Sequence, residues 1–379
     1  MKPQLLKKLQ QIAEQNIMDI EAHKNNGNHA IGFYCLYAPT ELAVAANAIP
    51  LPLCGTRQAP IEAAEETLPR NLCPLIKSSY GFAATDTCPF FKFSDIIVAD
   101  TTCDGKKKMY ELMNDIKPVH VLQLPQQQNT DLFLEPWKHE IKTLRTTIEN
   151  VTGKDITDES LVGAISLLNQ ERKAKKRLMD TTKAKPSPLS GMELLEILFK
   201  TGFFADKQKG IDLLNEIAQA CEDLIQKNES PYTDKTPRIL LTGVPTGLGS
   251  DKVVKIIEES GANVVAFESC SGYKQTFQVD ETIDPYLALA QQYLSIPCSV
   301  MSPNQGRFDL LDEMIREFHV DGVVDLTWQA CHTYNIEAAK VHNFVNKKFN
   351  LPYLHLETDY SESDTEQLRI RIEAFLEMI

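Results

Sequence analysis

The sequence has no long apolar run, no excess of positive charge and no closely spaced pair of cysteines. No stretch approaches the run of about 18 apolar residues needed to span a membrane, and the amino-terminal segment is a polar amphipathic helix rather than a signal peptide. We therefore expect a cytoplasmic protein without membrane contact. The net charge of -13 opposes general attraction to phosphate backbones or anionic lipid. This favours small molecules or proteins as partners and argues against nucleic acid.

The nine cysteines do not indicate a disulfide framework, because cytosolic reductants keep such thiols reduced. They lie at positions 35, 54, 73, 88, 103, 221, 270, 298 and 331, and no two form a CxxC pair. Zinc ribbons, thioredoxin-type sites and bacterial ferredoxin runs therefore lack their signature. HExxH and a tight Ser/His/Asp arrangement are also absent, so a hydrolase has no support. Any metal site must be assembled by folding.

The pattern of apolar residues predicts an α/β fold with mostly parallel sheets covered by helices. An amino-terminal helix and a first α/β domain should occupy residues 1–130, a helical connector residues 131–235, and a second α/β domain residues 236–379. The predicted strands are 30–35, 49–54, 95–100, 119–124, 238–243, 263–269, 322–327 and 353–358.

Most of the cysteines fall at the carboxyl end of a predicted strand or just beyond it. Cys35 and Cys54 end strands, Cys270 directly follows one, and Cys103 and Cys331 come a few residues after another two. In open α/β sheets this edge is where ligands bind. Cysteines that are remote in sequence are therefore expected to converge on one cleft.

Two further cysteines precede proline, which is typical of a residue that caps a helix. Cys73 and Cys88 occupy this position, where the helix dipole and free amides would stabilise a thiolate. Free cysteine also serves as a small core residue, and this alternative applies to the cysteines that end apolar strands and to Cys221. For Cys73, Cys103 and Cys331 we favour metal ligation, because each lies in a polar, loop-like context.

Three weaker features have two interpretations each. The segment TGVPTGLGS (242–250) is either a tight strand-to-helix turn, which we favour, or a phosphate-binding turn, although it is not GxGxxG. The three lysines in CDGKKKM either balance the charge of a nearby anion or are exposed to solvent. His332 follows Cys331 and either donates a proton beside a metal cluster or is an ordinary histidine at a helix start.

Several blocks of residues resemble a known family along essentially the whole chain. They are CLYAPTELAVAANAIPLPLCGT, PRNLCPLIKSSYGF, TDTCPFFKFSDIIVADTTCDGKKKMYE, VDGVVDLTWQACHTYNIE and HLETDYS. The sequence resembles the 2-hydroxyacyl-CoA dehydratase D-component and benzoyl-CoA reductase subunit family, and within it most closely the double-cubane cluster proteins. The resemblance implies two Rossmann-like domains with an iron–sulfur cluster between them.

The resemblance also implies the cluster ligands. Members with a single 4Fe-4S cubane hold it by three cysteines, which fall here on Cys73, Cys103 and Cys331. The double-cubane branch carries an 8Fe-9S cluster, in which a sulfide bridges two cubanes, and requires six thiolates. We assign the additional ligands to Cys88, Cys270 and Cys298. Cys35 and Cys54 also belong to the resembling blocks and could replace one of these three.

The family's electron donor is an ATP-dependent activator, itself an iron–sulfur ATPase, and the resemblance implies a homodimer. We favour an iron–sulfur reductase that delivers low-potential electrons to a small-molecule substrate through a double-cubane cluster. The alternative is a 2-hydroxyacyl-CoA dehydratase subunit with a single 4Fe-4S cluster, in which one electron enters an acyl-CoA thioester and water leaves. A third hypothesis is an electron carrier or cluster store without turnover.

Overall fold

Two parallel β-sheets form the centre of the protein. The computed structural model describes residues 3–128 and 131–379. The strands of the first sheet are β1 (Ala30–Tyr34), β2 (Ile49–Leu53), β3 (Ile96–Asp100) and β4 (Val119–Leu122). Those of the second sheet are β5 (Arg238–Gly243), β6 (Asn263–Phe267), β7 (Gly322–Trp328) and β8 (Tyr353–Thr358). Every residue of β1, β3, β5, β6 and β7 is buried, as expected for parallel strands covered on both faces.

The two sheets have the same topology. Their strand orders are β2-β1-β3-β4 and β6-β5-β7-β8, and every neighbouring pair is parallel. This confirms the predicted α/β fold with two Rossmann-like domains. Each sheet has a switch point, between β1 and β3 and between β5 and β7, where successive connections leave in opposite directions. Ligands bind at the carboxyl ends of strands beside such a point.

The helices fall into three consecutive sets along the chain. The first set is α1 (Pro3–Asn25), α2 (Glu41–Ala45), α3 (Ile61–Ala64), α4 (Pro74–Ala84), α5 (Pro89–Phe93) and α6 (Asp104–Met113). The connector contains α7 (Asp131–Thr152), α8 (Asp158–Asp180), α9 (Gly191–Gly202) and α10 (Lys207–Gln226). The last set is α11 (Lys252–Glu259), α12 (Pro285–Leu294), α13 (Gln305–Glu317), α14 (His332–Phe349) and α15 (Thr365–Leu376).

The predicted domain boundaries stay a prediction, and the first of them, at residue 130, lies outside the described residues. No helix in the described ranges combines the length and the apolar character needed to cross a membrane.

Loops at the carboxyl ends of the two sheets contact each other. The Tyr360 hydroxyl, after β8, donates to the Gly55 carbonyl oxygen, after β2, at 2.7 Å. The Thr56 hydroxyl donates to the Leu248 carbonyl oxygen, after β5, at 3.1 Å. The carboxyl ends of both sheets therefore border one cleft.

Replacing Gly243 with alanine should destabilise the protein by about 2 to 4 kcal/mol. Gly243 has a left-handed φ of 104°, and an added Cβ would overlap the Leu326 carbonyl oxygen. Gly163→Ala is the control, because this glycine lies in α8 with nothing within 4 Å of an added Cβ. It should stabilise the protein by about 0.5 to 1 kcal/mol. Urea unfolding followed by circular dichroism measures both changes, and shifts of the same sign would contradict this interpretation.

Candidate functional site

Cysteines follow five strands at the cleft edge of the two sheets. They are Cys35 after β1, Cys54 after β2, Cys103 after β3, Cys270 after β6 and Cys331 after β7. Cys35 and Cys103 therefore flank the switch point of the first sheet, and Cys331 follows a strand at the switch point of the second. The fold itself brings thiols from both halves of the chain to the position where α/β proteins bind ligands.

Cys73, Cys103 and Cys331 lie close together, and we call them the first cysteine group. The interaction with Cys331 is the largest influence on Cys73 and lowers its pKa, whereas the same interaction raises the pKa of Cys331 well above its ordinary value. The Cys103 charge opposes ionisation of Cys73, and the Cys331 charge opposes ionisation of Cys103. The three sulfurs thus repel one another as anions, and a positively charged group between them would stabilise all three.

Each cysteine of the first group is the N-cap of a helix. Cys73 caps α4, Cys103 caps α6 and Cys331 caps α14. Backbone N–H groups of the first helical turn face each sulfur and favour its anionic form. Proline follows Cys73 and Cys88 in the first turn, as predicted from the sequence, but the helix that Cys88 caps has only five residues.

Cys35, Cys270 and Cys298 form a second cysteine group. The interaction with Cys270 raises the pKa of Cys35 well above its ordinary value, and burial adds to this rise. Burial raises the pKa of Cys298, and the Cys35 charge raises it further. Cys298 Sγ also lies 4.0 Å from the hydroxyl of Tyr334. Cys35 has a left-handed φ of 68°, a strained conformation for a cysteine that indicates a constrained position.

Lys106 lies near both cysteine groups. Burial alone would lower its pKa, but the charges of neighbouring acidic groups raise it well above its ordinary value. These groups are Cys35, Tyr110, Asp100 and Cys103. The other two lysines of the run pair along α6, Lys107 with Asp104 and Lys108 with Glu111. One lysine of the run, Lys106, therefore balances negative charge at the cysteines, while the other two are exposed to solvent.

Buried polar atoms around Lys106 lack hydrogen-bond partners within the described part of the chain. They are both carboxyl oxygens of Asp100 and the hydroxyls of Thr102 and Tyr110; Thr102 and Cys35 lie close to the Asp100 carboxyl without completing a hydrogen bond of good geometry. Burial raises the pKa of Asp100 to about 6. Unsatisfied buried polar groups are costly and indicate an unseen partner. The hydroxyls and the Lys106 ammonium are hydrogen-bond donors, which inorganic sulfide would accept, so the site fits a sulfur-rich anionic cluster.

The spacing of the thiols does not fit a single metal ion. Among the residues that the structure describes, no three His, Cys, Asp or Glu side chains converge on a position for one ion. In an iron–sulfur cluster the protein thiolates bind separate irons and therefore need not converge on one point.

The remaining predicted residues are not members of either group. Cys54 is exposed and Cys88 is half-buried, and each is within electrostatic reach of the other. Of the three additional ligands assigned from the sequence, the structure thus brings together Cys270 and Cys298 but sets Cys88 beside Cys54. His332 is exposed at the first residue of α14. The ligand and catalytic assignments stay predictions.

Cys221 is buried in the core on α10. Sequence reasoning gave no role to Asp100, Thr102 or Tyr110 at the cleft. The signal available for Asp100 is a carboxylate at the end of the otherwise apolar strand β3.

The fold and the cleft define a two-sheet α/β protein with a cysteine-lined ligand site at the carboxyl ends of its strands. A family model described as 2-hydroxyglutaryl-CoA dehydratase, D-component, matches residues 35–379. The chain belongs to this family, which confirms the resemblance seen in the sequence.

Three relatives illustrate the range of the family. The chain is 46% identical, over 96% of its length and 94% of the relative's, to a protein of Escherichia coli (strain K12) named as a dehydratase subunit, YjiM. It is 23% identical to the (R)-phenyllactyl-CoA dehydratase beta subunit of Clostridium sporogenes, over 94% of this chain and 93% of that one. It is 20% identical to one of the benzoyl-CoA reductase subunits of Thauera aromatica, over 91% and 88%. These relatives are subunits by name, which indicates that the family works in multi-component assemblies.

Proposed function

We propose that this protein is an iron–sulfur reductase that delivers low-potential electrons to a small substrate through a double-cubane cluster. The first cysteine group would hold one 4Fe-4S cubane and the second group the other, with Lys106 between them. The observation that carries this proposal is the presence of two separate groups of three cysteines beside one lysine in one cleft. A double cubane needs six thiolates, and six are available here.

In this proposal Cys35 takes the place that sequence reasoning gave to Cys88. Cys35 interacts directly with Cys270 and is within electrostatic reach of Cys298, whereas the cysteine on which the Cys88 charge acts is Cys54. The strained backbone of Cys35 supports the same choice, because strain persists where function requires a fixed geometry.

The residues of the cleft control the charge of the site. When bound, the cluster would supply one-electron transfer at low potential. Six thiolates in a largely buried cleft concentrate negative charge, which makes reduction harder. Lys106 and the hydroxyls of Tyr110 and Tyr334 oppose this effect by facing the sulfurs with positive charge and hydrogen-bond donors.

Because the negative charge of the thiolates makes the cluster hard to reduce, its electron donor must have an unusually low potential. We propose an ATP-dependent iron–sulfur activator ATPase as that partner, and a cytoplasmic homodimer as the working form. His332, exposed directly after Cys331, is the proposed proton donor to the substrate.

The second candidate is a 2-hydroxyacyl-CoA dehydratase subunit with a single 4Fe-4S cluster. It is favoured by the first cysteine group, whose three members all cap helices, and by the dehydratase names of the relatives. In that case the second group would remain as free thiols, and an acyl-CoA would be the substrate.

Iron and acid-labile sulfide analysis of protein purified without oxygen should give about eight irons per chain. About four irons per chain would instead support the single-cluster dehydratase. The same preparation reconstituted with ferrous iron and sulfide is the control for cluster loss during purification. No bound iron after reconstitution would contradict both candidates.

A further inference from the structure

A cavity of about 160 Å³ lies between the first sheet, the connector helices and the segment that follows β6. Cys35 forms part of its wall, together with Phe33, Leu168 and Phe277. The cavity therefore adjoins the second cysteine group and has apolar walls on several sides.

The charges of three side chains at this cavity do not cancel. Lys175 Nζ lies 2.9 Å from one carboxyl oxygen of Glu171, and Lys207 Nζ lies 3.6 Å from the other. The exposed fraction of the side chain is 10% for Lys175, 10% for Lys207 and 9% for Glu171. Lys175 also donates to the Gln275 side-chain oxygen at 3.1 Å. Two buried ammonium groups thus share one carboxylate, and with both lysines protonated the three side chains carry a net charge of about +1.

The protonation of this trio follows from its surroundings. Burial alone would raise the pKa of Glu171, but Lys175 and Lys207 lower it to about 2, so the carboxylate is ionised near neutral pH. Burial lowers the pKa of Lys207, since it outweighs the attraction of Glu171. A buried excess of positive charge is costly, and an anion beside Lys207 would remove that cost.

The other cations that line the cavity already have partners. Arg172 pairs with the fully buried Glu41 at 2.6 Å. Lys274 pairs with the fully buried Glu268 at 2.6 Å. The excess positive charge is therefore confined to Lys175 and Lys207.

We propose that this cavity binds a small carboxylate with a short aliphatic chain. The carboxylate pairs with the ammonium groups of Lys175 and Lys207 on the cavity side of Glu171, and the aliphatic part packs against Phe33 and Phe277. A cavity of about 160 Å³ accommodates a compact acid. Cys35 belongs both to the cavity wall and to the second cysteine group. The inference that such an acid is the substrate therefore rests on the proposed cluster function, whereas the binding of the acid is independent of it.

Calorimetric titration of the anaerobically purified protein with butyrate tests this site, with butyramide as the uncharged control. Butyrate should bind saturably with one site per chain, and butyramide should bind at least ten-fold more weakly. Lys175→Gln and Lys207→Gln should each weaken butyrate binding at least ten-fold. Glu171→Gln should strengthen it, because both ammonium groups are then without a carboxylate. Lys209→Gln, on the exposed face of α10, should leave binding unchanged.

Equal binding of butyrate and butyramide would overturn the proposal, as would unchanged butyrate binding by both folded lysine variants. Thermal unfolding of each variant shows whether it is folded, and two lysine variants keep the test decisive if one fails to fold. Iron analysis of the same preparations separates the two proposals. Butyrate binding without iron refutes the cluster alone, and iron without butyrate binding refutes the carboxylate site alone.

Discussion

Replacing Cys35 with alanine should lower the iron content of anaerobically purified protein to about half or less of the wild-type value, since one of two cubanes loses a ligand. Cys35 is expected to bind iron together with Cys270 and Cys298, with which it is grouped in the cleft. Iron per chain and the visible absorption of the cluster measure the change.

Cys88→Ala is the matched control for this experiment. Cys88 also lies near the cleft, where it caps a short helix, but its charge acts on Cys54 rather than on a member of either cysteine group. Its removal should leave the iron content and the spectrum unchanged. Full iron in Cys35→Ala together with iron loss in Cys88→Ala would reverse the ligand assignment and restore the one made from the sequence.

Replacing Arg307 with methionine should destabilise the protein by about 3 to 5 kcal/mol. The Arg307 side chain is fully buried and pairs with Glu337 at 2.6 Å, and it lies 3.5 Å from Glu268. It also donates to the Thr242 hydroxyl at 2.8 Å and lies over the Tyr334 ring at 4.9 Å. Methionine fills similar space but leaves Glu337 without its cation, while Glu268 keeps only Lys274. Urea unfolding of the anaerobic protein measures the loss.

Arg316→Met provides the comparison within the same helix, α13. Arg316 is 60% exposed and pairs with Asp312 on the surface, so its removal should change stability by less than about 1 kcal/mol. Similar losses for the two variants would show that Arg307 does not stabilise the network beneath the second cysteine group.

The sheets were predictable because their strands are short apolar runs that alternate with amphipathic helices. β5 and β8 have the predicted ends, and the other strands differ from prediction by one or two residues at an end. The gathering of cysteines at the cleft was also predictable, since parallel strands present their carboxyl ends at one edge. Cys73 and Cys88 could be recognised as helix caps from the prolines that follow them.

The grouping of the cysteines was not predictable from the same pattern. Cys35 ends an apolar strand and reads as a core residue, and its left-handed backbone is invisible in sequence. Tertiary packing decides which loop of one sheet faces which loop of the other. This packing places Cys35, and not Cys88, in the second cysteine group.

The burial of two charged side chains could not be predicted for a related reason. Arg307 and Lys207 both lie in charged helical segments that are typical of solvent-exposed surfaces. Their burial depends on the partners that the fold supplies, Glu337 for one and Glu171 for the other.

The ligand set can be measured most directly by an iron-edge anomalous difference map from crystals grown without oxygen. We predict iron density in contact with the sulfurs of both cysteine groups and none at Cys54. Iron density at one group alone, or between Cys54 and Cys88, would contradict the double-cubane assignment.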